Sequence, residues 1–201
     1  MTGNSVGTSG LIIFLRFPEE GKVKSRLSHT LGDEKALEIY RELTRLTLRL
    51  ASNVSIPTYL FYTGGLPAEK DRNNAFEYLE QTEGDLGEKM THAFDYVLQY
   101  HQKAIIIGSD CPDIGTEEIN QCIQLLDDQD IVIGPTTDGG YYLLGCKKLY
   151  PSIFKSIDWS TSSVLSQTIN KIEQQGNSCI LLRTHSDIDT EEDWNRFKTR
   201  S

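Results

Sequence analysis

Short apolar runs alternate with amphipathic stretches along most of the chain. LIIFLRF at 11–17, bounded by Gly10 and Pro18 and rich in strand formers, predicts a first strand. TYLFYT at 58–63, the weaker FEYLEQ at 76–81, AIIIGSD at 104–110, DIVIGP at 130–135, YYLLGC at 141–146 and SCILLR at 178–183 predict six more. Helical spacing fills the gaps. Asp33 is placed to cap a helix with Leu37, Tyr40, Leu43 and Leu50 on one face. Asp85 with Glu88 forms a capping-box pattern ahead of Met90, Ala93, Phe94, Val97 and Leu98. Thr116 is the expected cap for Ile119, Cys122, Ile123 and Leu126, residues 160–175 read as a helix stopped by Gly176, and Thr190 with Asp193 opens a last one. Residues 64–76, with Gly, Pro and mixed charge, read as loop or a short irregular helix.

This order predicts an α/β fold, a mostly parallel sheet covered by helices on both faces. One pair breaks the rule: no helix fits between 130–135 and 141–146, so the second of these strands should run antiparallel. It would be hairpin-paired or offset by one place in the sheet. No repeat or linker divides the chain, so residues 11–201 are expected to be one domain behind a loose tail at 1–10.

Charge narrows the partners. Acidic residues outnumber basic ones 29 to 20, a formal charge of −9, which opposes binding to nucleic acid or an anionic membrane. A phosphate-bearing ligand would need a local basic cluster or a metal ion. No apolar run reaches the ~18 residues of a membrane span, and MTGNSVGTSG lacks the features of a signal peptide. Cys111, Cys122, Cys146 and Cys179 show no metal-ligand spacing and read as reduced, mostly buried thiols of a cytoplasmic protein.

In open α/β sheets ligands gather at the carboxyl ends of the strands. After the first strand, RFPEEGKVKSRL brings Lys22, Lys24 and Arg26 together on what reads as a loop able to grip a di- or triphosphate. It is neither a Walker A loop nor a dinucleotide fingerprint. After the fourth, GSDCPD delivers Asp110, a carboxylate suited to Mg2+ or Mn2+ bridging phosphates. After the last, Asp187 and Asp189 precede a helix whose cap is already supplied by Thr190, so neither is needed as a cap. GDLGEKM sets glycines around a helix N-terminus, where backbone could read a base edge or an anion.

Taken in order, GKVKSRL, GDLGEKM, GSDCPD, GPTTDGGYYLLG, DWSTSSVLSQT and DIDTEEDW resemble a bacterial glycosyltransferase-like family. It belongs to the nucleotide-diphospho-sugar transferase superfamily, and its members often lie beside radical-SAM proteins. The likeness runs from Leu11 to Trp194 and implies a three-layer α/β/α sandwich of GT-A type. By the same likeness Lys22, Lys24 and Arg26 would face the donor phosphates, and Asp85, Leu86 and Gly87 the base. Asp110 with Asp189 would hold the metal, with Asp187 the other candidate for second ligand. Asp138, Gly139, Gly140 and Tyr141, with Trp159, Ser160 and Thr161 at a helix start, would form the acceptor side. Asp138, Lys24 and Asp110 are the expected catalytic groups. Ser25, Lys89 and Glu191 stand where threonine, arginine and proline are commoner; none removes a proposed ligand.

The resemblance implies sugar transfer from a nucleotide-activated small-molecule donor to a small-molecule acceptor. The residues also leave open nucleotidyl transfer with release of pyrophosphate: Asp110 is followed by Cys111 and Pro112 rather than forming Asp-x-Asp. Nucleotide binding without turnover is a third reading.

Overall fold

Strand β1 (Ser9–Arg16) lies inside a seven-stranded sheet in the computed structural model, which describes residues 9–200. It pairs in parallel with β2 (Thr58–Thr63) on one side and β4 (Lys103–Ile107) on the other, and β3 (Phe76–Glu80) closes that edge against β2. Strand β6 (Tyr141–Cys146) is inserted between β4 and β5 (Ile131–Pro135), antiparallel to both, and β7 (Cys179–Leu181) completes the sheet beside β5. The strand expected to run antiparallel does so. Hairpin pairing with β5 and an offset place in the sheet, alternatives in the sequence, are here the same arrangement.

Period-two alternation sorts the strand residues into two cores. Leu11, Ile13 and Leu15 face α2 (Asp33–Asn53) and α4 (Thr116–Leu125), packing with Leu37, Tyr40, Ile119 and Cys122. Ile12 and Ile106 face α3 (Leu86–Leu98), packing with Met90, Phe94 and Val97; Ile172 of α5 (Val164–Gln174) joins the same core. Burying each Leu, Ile or Phe here contributes roughly 1.5–3 kcal/mol before the ordering entropy is subtracted. The result is the α/β/α sandwich expected.

Several boundaries differ from the pattern. Gly32, not Asp33, is the N-cap of α2, and Gly115, not Thr116, is that of α4. The Glu118 carboxylate, at the third helical position, accepts from the Gly115 amide at 2.9 Å, the half of a capping box that needs no side chain on the cap itself. Helix α5 starts at Val164, so Trp159, Ser160 and Thr161 precede it in a turn where Ser160 has φ 64°. Residues 64–76 hold a short 3-10 helix, Glu69–Asp71. The last helix, α6 (Glu191–Lys198), has the predicted Thr190–Asp193 capping box, as α3 has that of Asp85 and Glu88. Of the expected tail, Ser9 and Gly10 are strand, and the rest lies outside the described residues.

Helix α1 (Ser25–Leu31) stands where the sequence read as loop. Its one buried residue, Leu27, joins Ala36, Ile39, Leu43 and Ile188, with Trp194 and Phe197 at the margin. This small third core fastens α1 to α2 and to the approach to α6. It therefore sets the basic residues around Lys24 against the acidic segment ending at Asp189. Cys111, Cys122 and Cys146 are buried, Cys179 is partly exposed, and all four are free thiols. Among the described residues no helix is long and apolar enough to cross a membrane.

Candidate functional site

Residues 183–189 form the spine of the site, although they contain no long regular element. The His185 amide donates to Pro135 O at 3.1 Å, and the Thr137 amide donates to His185 O at 3.0 Å. The Ile188 amide donates to Asp110 O at 2.9 Å. The segment is thus stitched to the loops after β5 and β4. Below it, Glu118 Oε1 accepts from Arg183 Nη2 at 2.7 Å and lies 3.3 Å from His185 Nε2. A carboxylate only accepts, so that imidazole nitrogen carries the proton. Burial pushes the Glu118 carboxyl up, but hydrogen bonds from Gly115, its own amide, His185 and Arg183 outweigh it and hold it below the usual range.

On this spine the expected charged residues meet. Lys24 Nζ lies 2.9 Å from Asp110 Oδ1 and 3.1 Å from Asp189 Oδ1, and donates to Ile188 O at 2.5 Å. Arg26 Nη1 reaches Asp189 Oδ2 at 3.1 Å. Burial lowers the Lys24 ammonium, but Asp110 and Asp189 overcome it and the net shift is upward. Asp187 behaves in the opposite sense. Burial first, then the negative charges of Asp110 and Asp138, push its carboxyl up to about 7, with Lys24 offsetting only part.

Three adjoining spaces open here. A chamber of about 590 Å3 is lined by Arg26, Asp110, Asp138, Asp187 and Asp189 on its charged side and by Tyr141, Trp159, Ser160 and Thr161 opposite. Lys24, Ser25, Arg26, Asp110 and Asp189 enclose a polar cavity of about 210 Å3 that shares three of these walls. An apolar slot of about 120 Å3, between Phe14, Leu86, Met90, Gly108 and Tyr141, meets the chamber at Leu86 and Tyr141. The sequence had not placed Phe14 or Met90 at a cavity; apolar residues of a strand or helix carry no local sign of facing one. Ser162 and the Glu118–His185 pair were missed because only tertiary contact gives them a place here.

Some expected residues serve other ends. Lys22 pairs with Glu19 at 2.6 Å on the surface and lines none of these spaces. Asp85 is occupied as an N-cap and borders a separate groove between α3 and residues 149–156. Gly87 borders the same groove, and a side chain there would meet Phe154 O and the Trp159 ring. The two glycines after Asp138 also divide. Gly139, at φ 92°, is crossed by the Ser162 backbone and its carbonyl accepts from the Leu165 amide at 2.8 Å. Gly140 lines the chamber. Asp138 Oδ1 accepts from Thr136 Oγ1 at 2.5 Å and from the Gly140 amide at 3.2 Å. Oδ2 has no hydrogen bond among the described residues.

The donor chemistry suits a hard divalent cation. Asp110, Asp138, Asp187 and Asp189 set four carboxylates against Lys24 and Arg26, leaving two negative charges in excess when all are ionised. Asp110 Oδ1 is shut from water and, among the described residues, lacks a well-aligned hydrogen bond; its close partner is the Lys24 ammonium. No three His, Cys, Asp or Glu side chains converge into a ready cage among the described residues. That is compatible with Mg2+ or Mn2+, which take one or two carboxylates and complete the shell with phosphate and water.

A mostly parallel sheet with one antiparallel strand inserted, and a charged cleft at its carboxyl edge, is a fold shared with several solved structures. The chain belongs to the family described as "Uncharacterized protein conserved in bacteria (DUF2064)", whose model matches residues 46–161. It is similar to a protein of Desulfovibrio desulfuricans G20 that carries the provisional name nucleotide-diphospho-sugar transferase. The two are 29% identical over 95% of this chain and 86% of the other, with a TM-score of 0.88. Its fold also matches 4-diphosphocytidyl-2C-methyl-D-erythritol synthase of Anaerococcus prevotii DSM 20548, with a TM-score of 0.63, 12% identity and coverage of 98% and 100%. Rv0371c of Mycobacterium tuberculosis H37Rv, in complex with manganese, matches with a TM-score of 0.60 at 12% identity, over 96% and 98% of the chains. No curated protein matches the sequence.

Proposed function

We propose that this protein is a divalent-metal-dependent transferase using a nucleotide-activated donor, with transfer of a sugar from a nucleoside diphosphate as its reaction. The observation that carries the reading is the excess of carboxylates, Asp110, Asp138, Asp187 and Asp189, over Lys24 and Arg26 across the small polar cavity and the large chamber together. In this reading the donor's phosphates lie in the polar cavity beside Arg26, and its base in the apolar slot beside Leu86. The acceptor lies in the chamber against Trp159, Ser160 and Thr161. Asp110 with Asp189 or Asp187 would hold Mg2+ or Mn2+. When bound, the ion supplies charge neutralisation at the donor phosphates and leaving group. Asp138 Oδ2 is the group set to take a proton from an acceptor hydroxyl, while its other oxygen fixes the turn.

The name carried by the Desulfovibrio relative favours sugar transfer, and a chamber of about 590 Å3 has room for a sugar beside an acceptor. One observation favours nucleotidyl transfer instead. Arg26 and Lys24 flank Asp110 with no second aspartate two residues on, an arrangement fitted to a triphosphate that loses pyrophosphate. Product analysis separates the two. With Mn2+ and a panel of nucleoside triphosphates and nucleotide-sugars, release of nucleoside diphosphate from a nucleotide-sugar supports the first reading. Release of pyrophosphate from a triphosphate supports the second. Stabilisation by nucleotide with no turnover across acceptor panels would favour a binding protein.

A further inference from the structure

The Lys24 ammonium donates to Ile188 O at 2.5 Å and Asp189 Oδ1 at 3.1 Å and forms an ion pair with Asp110 Oδ1 at 2.9 Å. Its side chain is 5% exposed, so protein oxygens have replaced water around it. The backbone beneath it is left-handed, φ 49° and ψ 54°, at the start of α1, an uncommon state for a residue with a side chain. The same ammonium lines the polar cavity assigned above to phosphate. Two hydrogen bonds and an ion pair with protein oxygens thus hold the ammonium in place.

A hard divalent ion bound to Asp110 and Asp189 would sit about 2.0–2.6 Å from their oxygens. Those are the two carboxylates that hold Lys24 Nζ, through Asp110 Oδ1 at 2.9 Å and Asp189 Oδ1 at 3.1 Å. The ion and the ammonium would compete for the same two carboxylates and repel each other at close range. We propose that Lys24 is a resident cation which the divalent metal must displace, and that the released ammonium then binds the donor's phosphate. The proposal rests on the metal-dependent reading above and adds an order to it. Metal alone must expel a well-satisfied lysine into a cavity with no partner for it. Metal and phosphate together offer that lysine a new partner. The two ligands therefore favour each other's binding through one side chain, a coupling between sites that must hold in both directions.

Mn2+ binding, read from the electron paramagnetic resonance of the free ion, tests this in wild type and Lys24→Met, with and without UDP, CDP, GDP or ADP. Wild type should bind Mn2+ weakly alone and roughly 5–150-fold more tightly with one of the nucleotides. Lys24→Met should bind Mn2+ alone more tightly than wild type and lose most of the enhancement by nucleotide. Equal Mn2+ affinity of the two proteins without nucleotide overturns the exchange and leaves the metal reading standing. No Mn2+ binding by either protein under any condition overturns both. Circular dichroism establishes that the variant is folded. If it is not, brief acetylation of wild type followed by peptide mass spectrometry asks the same question. Lys24 should be protected in the protein alone, reactive with Mn2+ added, and protected again with Mn2+ and nucleotide. Reactivity that ignores Mn2+ overturns the exchange.

Discussion

Asp187 carries its proton into the neutral range, pushed up to about 7 by burial, Asp110 and Asp138. An acid whose folded pKa lies above its unfolded value holds its proton more tightly when folded. Its ionisation therefore costs stability progressively as pH rises from about 4 to about 7, and the cost is complete above that. Asp187→Asn removes the cost. Without metal, the variant should unfold at higher urea than wild type at pH 8, by on the order of a few kcal/mol, with the difference shrinking toward pH 4. A gap that does not change with pH would show that the carboxyl is not under this pressure. Asp138 calls for a different substitution, because its Oδ1 already accepts from Thr136 and Gly140. Asn keeps an oxygen for both bonds and removes only the charge. Asp138→Asn should keep wild-type stability while transfer falls ~10²–10⁴-fold, the usual loss for a general base. Wild-type turnover in that variant would reduce Asp138 to a clamp on the turn.

The turn after Asp138 and the start of α5 are one mechanical unit, joined where Ser162 crosses Gly139. Gly139→Ala meets both a left-handed φ of 92° and a backbone clash, and should destabilise the protein by at least ~1–3 kcal/mol in urea. Gly140→Ala meets only Thr136 Oγ1 at 3.1 Å and Asp138 Oδ1 at 3.5 Å, so it should be milder in stability. The reverse order would mean that Gly139 is kept for a ligand rather than for Ser162. The sequence shows two adjacent glycines and cannot tell these roles apart, because the crossing chain lies over twenty residues away. The same limit recurs along the molecule. The capping boxes at Asp85 and Thr190 were readable because every partner lies within three residues. Helix α1 was not: seven residues with one buried side chain and no capping bond leave no periodic signal. Asp110, Asp187 and Asp189, which the fold brings to one chamber, could be singled out because each follows a legible strand or precedes a legible cap. The spine that joins them depends on Pro135, Thr137 and Glu118, residues whose local pattern says only strand, turn and helix.

Across the whole molecule a formal charge of −9 repels nucleotide and attracts metal, while the third core presses basic α1 against the acidic spine. Neither ligand should therefore stabilise the protein much by itself. Nucleotide alone meets carboxylates that outnumber the cations, and Mn2+ alone finds Asp110 and Asp189 engaged with Lys24. Together they cancel each other's charge. Ligand at about 100 times its dissociation constant adds roughly 2.7 kcal/mol to the folded state. For a domain of this size, that is about 5–10 °C in melting temperature. The expected result in a thermal scan is a shift of that order with Mn2+ and the right nucleotide together, and a clearly smaller shift with either one. EDTA should abolish it. Asp110→Asn should remain folded, since its neighbours in β4 lie in a buried core, yet lose the joint shift because the ion has lost its charged ligand. A full joint shift in that variant would put the cation on Asp187 and Asp138 instead. The same variant would then separate the two pairs of carboxylates by which of them, when neutralised, removes the response to metal.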